Sequence, residues 1–301
     1  MGEEHRIVIT LVHNITHTVR YTYLKCYMGP CFPKRTEMDS KKKKKKKYKG
    51  ILEQQQPKPR TTSERNLQLT RMAIKRITGE VETNAAIWQS MQKQVIRPII
   101  QQFLYKTMHG SHLIGEYWRN INSFEERETC AACNETELMG HILAECGEQT
   151  TQTVWRMAED LWPHRSIPWP EITLGTILGC GSINLQPDRQ RRTNQRRHNT
   201  TACGPTQLFQ IILSEAAYLI WVLRCERVIQ GKPLHEGEIQ ARWHGTINER
   251  LTIDKVTATK IKRTQKFTKL VEDTWEPALR KTMELPAQWI YCREVLVGRT
   301  A

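Results

Sequence analysis

Thr206-Gln207-Leu208-Phe209-Gln210-Ile211-Ile212-Leu213-Ser214-Glu215-Ala216-Ala217-Tyr218-Leu219-Ile220-Trp221-Val222-Leu223-Arg224-Cys225-Glu226-Arg227-Val228-Ile229 is the longest apolar element of the chain. Ile211, Ile212, Leu213, Tyr218, Leu219, Ile220, Trp221, Val222 and Leu223 carry its apolar character nearly all the way round. A helix that is apolar on every side belongs at the centre of a bundle. Pro205 opens it, and Gly231 and Pro233 stop it, the usual punctuation of a helix start and end. Further along, Ile239, Trp243, Ile247 and Leu251 recur at i+4 steps and predict another helix. Residues from about Thr264 to Met283 predict one more, kinked or broken at Pro277. The tail through Trp289 and Val295 to Val297 is expected to tuck back on the bundle.

Reading backwards from Thr206, residues Ser182 to Gly204 are polar and form an expected surface loop with Arg189, Arg191, Arg192, Arg196 and Arg197. Glu171 to Leu178 is a short helix between Pro168 and Pro170 on one side and Gly179 and Gly181 on the other. Thr151 to Trp162 is amphipathic through Val154, Trp155, Ala158, Leu161 and Trp162. Between about Val95 and Met108, Ile96, Ile99, Ile100, Phe103 and Leu104 fall at i, i+3, i+4, i+7 and i+8, one buried helical face. Pro98 stands near the start, where its missing amide does least harm. Asn84 to Met91, around Ile87 and Trp88, is a shorter helix. Order begins at Thr61-Thr62-Ser63-Glu64, which has the form of a capping box. It is followed by Leu67, Met72, Ile74 and Ile77, with Gly79 as the stop. The expected fold is mainly α: an irregular helical bundle over residues 61–301, with no internal repeat.

With 301 residues and 39% hydrophobic content, the chain can bury one sizeable helical core but not its whole length. Nine tryptophans and long periodic segments exclude collagen-like and fully disordered classes. The longest unbroken apolar run, Ala216 to Leu223, is eight residues, so no membrane span is expected. Glu3 and Glu4 follow Met1 where a secretory signal would place cations. The expected location is therefore nuclear or cytoplasmic, and the nine cysteines are expected as thiols. The three Asn-x-Thr sites at Asn14, Asn134 and Asn199 carry no weight in that setting.

Charge is distributed unevenly. The net value is +15, of which residues 1–60, with 15 basic and 5 acidic side chains, hold +10. Lys41, Lys42, Lys43, Lys44, Lys45, Lys46 and Lys47 form an unbroken run. Such a run is a solvated disordered tract, and it also suits contact with a polyanion, with nucleic acid the commonest, or nuclear targeting. Arg6 to Val12 is strand-like without a clear partner, and residues 28–60 have linker composition. Residues 1–60 are thus expected as a basic, largely disordered leader and linker ahead of the helical domain.

One pattern stands above composition: Cys130-x2-Cys133-x7-His141-x4-Cys146, inside a compact segment at 126–147. Two thiolates two residues apart can reach one ion across a tight turn, and a His and a Cys further on complete a tetrahedral shell of the kind zinc takes. Four protein ligands leave no open position, so the expected site is closed and structural. His141 falls in an expected short helix from Glu135 to Glu145. On a continuous α-helix it would stand about 140° from Cys146, so the helix is expected to end or unwind first, with Gly147 supplying the flexibility. Cys225 is expected in the core; Cys26 and Cys31 lie in the leader, and Cys180, Cys203 and Cys292 are isolated.

Phe103-Leu104-Tyr105-Lys106, Gly115-Glu116-Tyr117-Trp118, Cys130-Ala131-Ala132-Cys133 and Glu137-x3-His141-Ile142-Leu143-x2-Cys146 together resemble the reverse-transcriptase-type zinc-binding region near the end of non-LTR retrotransposon polyproteins. Leu174-Gly175-x-Ile177-Leu178-Gly179-Cys180-Gly181, Ser214-Glu215-Ala216-x-Tyr218-Leu219-Ile220-Trp221-x2-Arg224-Cys225-Glu226-Arg227 and Ile247-Asn248-Glu249-Arg250-Leu251-Thr252 are similar to fungal members, in which the region follows a ribonuclease H domain. The resemblance covers roughly residues 48–298. It implies a zinc segment that helps hold or position nucleic acid beside enzymatic domains, and other domains of the element as partners.

The chain departs from a whole element. It has no Tyr-x-Asp-Asp segment, and Asp39, Asp160, Asp188, Asp254 and Asp273 are scattered rather than gathered to hold two divalent ions. The resemblance therefore implies a detached C-terminal remnant without catalysis of its own. Nucleic-acid contact is expected from Lys41 to Lys47 and from Arg189, Arg191, Arg192, Arg196 and Arg197, to RNA or DNA phosphates with weak sequence preference; a plain solvated face is the alternative for the arginines. Tyr117 and Trp118 are expected in the core, with base stacking the alternative. Two other readings remain: a ribonuclease H-associated nuclease fragment, with Glu159, Asp160 and Glu226 as its carboxylates, or a scaffold or relic.

Overall fold

A computed structural model describes residues 60–164, 166–185, 204–231, 234–260, 265–279, 286, 288–292 and 295–298. The Arg6 to Val12 strand, the lysine run, the Arg189 to Arg197 loop and the end of the last expected helix lie outside the described residues. All described residues belong to one unit, Pro59–Ala301. The elements are α1 (Thr61–Thr78), α2 (Asn84–Ser90), α3 (Pro98–Met108), α4 (Gln149–Leu161), α5 (Leu174–Leu178), α6 (Gly204–Gln230), α7 (Glu236–Lys260) and α8 (Gln265–Trp275), with short 3₁₀ turns and one π turn between them. No strand occurs among the described residues; two isolated bridges, Thr129 with Thr136 and Leu279 with Val297, are the only ladder contacts there.

The mainly α fold follows from α6. Leu208, Phe209, Ile211, Ile212, Leu213, Ala216, Ala217, Ile220 and Leu223 are all buried, and α3, α4, α5, α7 and α8 pack around the helix. By length and composition, Gly204–Val228 could also cross a membrane, a possibility that the longest unbroken apolar run conceals; 78% of its apolar window is buried inside the bundle. Ile239, Trp243, Ile247 and Leu251 on α7 are buried as their spacing predicts. Trp275 ends α8, and Pro277 follows in a 3₁₀ turn, so the break expected at this proline is an end. Trp289 and Val297 are buried, the latter bridged to Leu279, so the tail does fold back.

Several local expectations are corrected. Helix α1 starts at Thr61 with Arg60 as its N-cap and no side-chain cap bond, so the capping box does not form. Ser63 turns inward, with its hydroxyl 2.8 Å from His109 Nδ1. Met72 is exposed while Leu67 and Ile74 are buried, and the helix ends at Gly79 with φ 77°, a left-handed value that glycine adopts without strain. Helix α3 begins only at Pro98, so Ile96 precedes it and Ile99, in its first turn, faces solvent. Residues 171–173 form an extended lead-in to α5, capped by the Thr173 side chain.

Charges inside the bundle are paired. Arg97, the N-cap residue of α3, donates from Nε to Glu215 on α6 at 2.7 Å, although burial raises the pKa of Glu215. Asp254 on α7 accepts from Trp275 Nε1 at 2.9 Å and pairs with Arg250 one turn earlier at 2.9 Å. Burial pushes the Asp254 carboxyl up, and Arg250 opposes it. Buried charges persist where such partners satisfy them.

Candidate metal centre

Residues 109–138 form a lobe unlike the bundle. Between Met108 and Met139 no aliphatic or aromatic side chain is buried; the buried residues are Gly115, Cys130 and Glu137. Apart from Ile114, which packs partly buried against the core, such a segment has little apolar burial to hold it, and small units of this kind need a staple.

The lobe is shaped by local chemistry. Thr129 bridges Thr136 in antiparallel fashion, and the Glu137 amide donates to the Glu128 carbonyl at 2.9 Å. Between them the chain doubles back: the Cys130 amide donates to the Glu135 carbonyl and the Asn134 amide to the Cys130 carbonyl, both at 2.8 Å. Asn134 takes φ 58° at the tip, a left-handed value that Asn tolerates better than most residues. Gly115, at φ 54°, lies against this turn; a side chain there would meet the Glu137 carbonyl oxygen at 2.5 Å.

The expected helix from Glu135 does not form. Helical structure starts at Met139, and His141–Glu145 is a π turn closed by the Cys146 amide on the His141 carbonyl at 2.8 Å. The helix therefore widens before it ends. An i→i+5 bond turns residues five apart toward a common side, so His141 and Cys146 converge without help from Gly147, which has no positive φ. Met139, Ile142 and Leu143 are buried and moor this turn to the bundle, where Trp155 Nε1 donates to the Leu143 carbonyl at 2.7 Å.

These elements bring together all four side chains singled out from the sequence. The ligand atoms of Cys130, Cys133, His141 and Cys146 lie within 4.8 Å of one another and could hold a metal ion. The Cys130 and Cys146 sulfurs are 3.6 Å apart, and Cys133 Sγ is 3.2 Å from His141 Nε2. Cys130, His141 and Cys146 are buried, while Cys133 is exposed. None of the four is in a disulfide. Burial pushes the Cys130 thiol up, but hydrogen bonding from His141 and from the Ala132 and Cys133 amides overcomes this and lowers its pKa. Burial and the adjoining Cys130 and Cys133 sulfurs push Cys146 up. A shared cation would relieve this crowding of sulfurs. With Nε2 facing them, His141 Nδ1 is buried without a hydrogen-bond partner, 3.3 Å from the Glu135 carboxylate.

Two arginines of α6 clamp the centre to the bundle. Arg224 meets the buried Glu137 carboxylate through both Nε, at 3.3 Å, and Nη2. Arg227 Nη1 lies 2.7 Å from Glu148, which also caps α4 by accepting from the Thr150 amide at 3.0 Å. Neither clamp follows from local sequence spacing. The available signal was a pair of cations inside a helix apolar all round, since buried cations require partners. Of the other singled-out residues, Glu226 pairs with Arg242 on the surface, and Glu159 and Asp160 are exposed on α4, so these three do not form one site. Cys180 is fully buried and Cys225 partly so. The lysine run and the arginine loop lie outside the described residues. Tyr117 and Trp118 are not in the core: Tyr117 is 48% exposed, and Trp118 is half-buried under Arg127.

Comparison with family models, curated proteins and solved structures finds no match to the chain.

Proposed function

We propose that the chain is a zinc-stabilised, nucleic-acid-binding helical module without catalytic activity of its own, derived from the C-terminal part of a non-LTR retrotransposon polyprotein and acting in the nucleus or cytoplasm. The observation that carries the metal part is the convergence of three sulfurs and one imidazole, two of the sulfurs supplied by a segment, residues 109–138, with no buried aliphatic or aromatic side chain. Zinc fits best. Sulfurs on a tetrahedral zinc with bonds near 2.3 Å stand about 3.8 Å apart, close to the 3.6 Å between Cys130 and Cys146. Four protein ligands fill the shell, so the ion organises structure and has no position to offer a substrate.

The retrotransposon origin rests on the sequence resemblance of three segments, which lie in one packed unit. Glu137 beside His141 pairs with Arg224 of the second segment. Glu215 of that segment lies within electrostatic reach of Arg250 in the third. Segments far apart in sequence are thus parts of one packed unit.

Nucleic-acid binding draws support from the net charge of +15 and its concentration in residues 1–60. Residues 113–148, by contrast, hold eight carboxylates against two arginines, net −6. The zinc lobe would repel phosphate, so contact falls to Lys41 to Lys47 and Arg189 to Arg197, with the lobe a structural support. The test is binding of labelled single-stranded and duplex oligonucleotides over a salt series. The full chain should bind with an affinity that falls steeply as salt rises, and deleting residues 1–60 should weaken binding and flatten the slope. An unchanged slope would show the leader idle. Absence of binding to any RNA or DNA would leave an interaction scaffold as the better reading.

A further inference from the structure

The surface of the metal lobe has its own character, independent of any nucleic-acid role. Leu113 (55% exposed), Tyr117 (48%) and Phe124 (38%) lie in the open. They are contiguous through Trp118: its ring is 5.1 Å from Tyr117 and 5.9 Å from Phe124, and its Nε1 donates to the Leu113 carbonyl at 2.9 Å. A 3₁₀ turn at Gly115–Asn120 and another at Glu125–Glu128 hold this ledge in place.

Two features say what would cover it. The ring faces already seat a cation: the Arg127 guanidinium stands 4.4 Å from the Phe124 centroid and 5.2 Å from that of Trp118. The surroundings are acidic. Glu125 and Glu126 are exposed and make no ion pair among the described residues, and Glu116, Glu135 and Glu145 are exposed on the same lobe. In a chain of net +15, a lobe of net −6 is a local inversion of charge. An exposed apolar ledge with this rim repels a phosphate backbone and suits aliphatic stems that end in cations.

We propose that the ledge formed by Tyr117, Trp118 and Phe124 docks an extended Lys/Arg-bearing segment of a partner protein, its aliphatic stems on the exposed ring surface beside Arg127 and its cations against Glu125 and Glu126. One face of the molecule would then take protein while the basic segments take nucleic acid.

The test uses the full chain with its metal and a fluorescent synthetic peptide of alternating Lys, Arg and Leu residues, read by anisotropy. Wild type should bind it. Tyr117→Ala, which leaves charge untouched, and the double variant Glu125→Lys/Glu126→Lys should each weaken binding about tenfold or more. Glu80→Lys/Glu276→Lys, the same change of charge on exposed residues outside the lobe, should leave most of the affinity. Circular dichroism and metal content confirm that each variant retains its fold. Equal binding by wild type and both ledge variants would overturn the proposal. So would loss of a single-stranded oligonucleotide, rather than of the peptide, on Tyr117→Ala, because it would make the ledge a base-stacking surface.

Discussion

The bundle around α6 and the lobe at 109–138, which carries Cys130 and Cys133, are held together in opposite ways. The bundle buries aliphatic and aromatic side chains from every helix, and its few internal charges sit among them already paired. The lobe buries two side chains before Met139, a cysteine and a glutamate, and the burial of the carboxylate demands a partner. Glu137 finds Arg224; Cys130 finds three further ligand atoms. Long periodic helices can draw on the hydrophobic effect along their whole length, whereas an irregular stretch of this size must be pinned at points. In the proposed reading the ion and the clamp share that task, and both the Cys/His cluster and the clamp adjoin α6.

This contrast can be broken at the metal first. Chelation, or Cys130→Ser, should remove hydrogen-exchange protection from the amides of Cys130, Asn134 and Glu137 while leaving α6 and α7 protected. For structural zinc the coupling of binding to folding is the largest single effect available. Loss of protection across α6 at the same rate would show that lobe and bundle unfold as one unit.

Next comes the clamp. Arg224→Met strands the Glu137 carboxylate in a buried site and should cost about 3–5 kcal/mol by denaturant unfolding. Combining it with Glu137→Leu should recover most of the loss, since removing both charges leaves neither unpaired. A double variant no better than the single would mean that the pair contributes more than mutual neutralisation.

The boundary between the two regions should respond to acid through His112. Its ring lies 4.5 Å from the Trp221 centroid and 5.6 Å from that of Phe103, with Nε2 3.0 Å from the Thr107 hydroxyl. Burial foremost, then the Lys106 charge, lowers its pKa to about 4 from the ordinary 6.5. The unfolded chain therefore takes up a proton that the folded one refuses. The contribution of His112 is complete above pH 6.5 and is lost as pH falls toward 4, amounting to about 3 kcal/mol. His112→Gln should flatten the decline in melting temperature over that window; an unchanged decline would place the acid sensitivity elsewhere. The smallest expected effect is at the bundle's edge. Gly79→Ala puts a side chain at φ 77° with open space around it, at a cost of about 1 kcal/mol.

What could be read from the sequence divides along the same line. Helices α3, α4, α6 and α7 were legible because apolar side chains recur at the period of the helix, and the four ligands because coordination demands particular residue types at short spacing. The rest depended on tertiary context. The π turn at His141 needs a wider turn than a regular α-helix would give. The capping box expected at Thr61 and Glu64 does not form because the helix starts one residue earlier, with Arg60 as its N-cap. Arg224 and Glu137 are 87 residues apart, and no local pattern joins them. Tyr117 and Trp118 were expected in the core because aromatic residues usually pack; a lobe without an apolar interior gave them nowhere to go.

The most direct test is the metal content of the purified full-length chain, measured by elemental analysis and read for ligand type by X-ray absorption. The account requires one zinc per chain bound by three sulfurs and one nitrogen, lost in Cys130→Ser. A chain that folds with the same helicity, binds no metal and keeps residues 128–146 protected would contradict it.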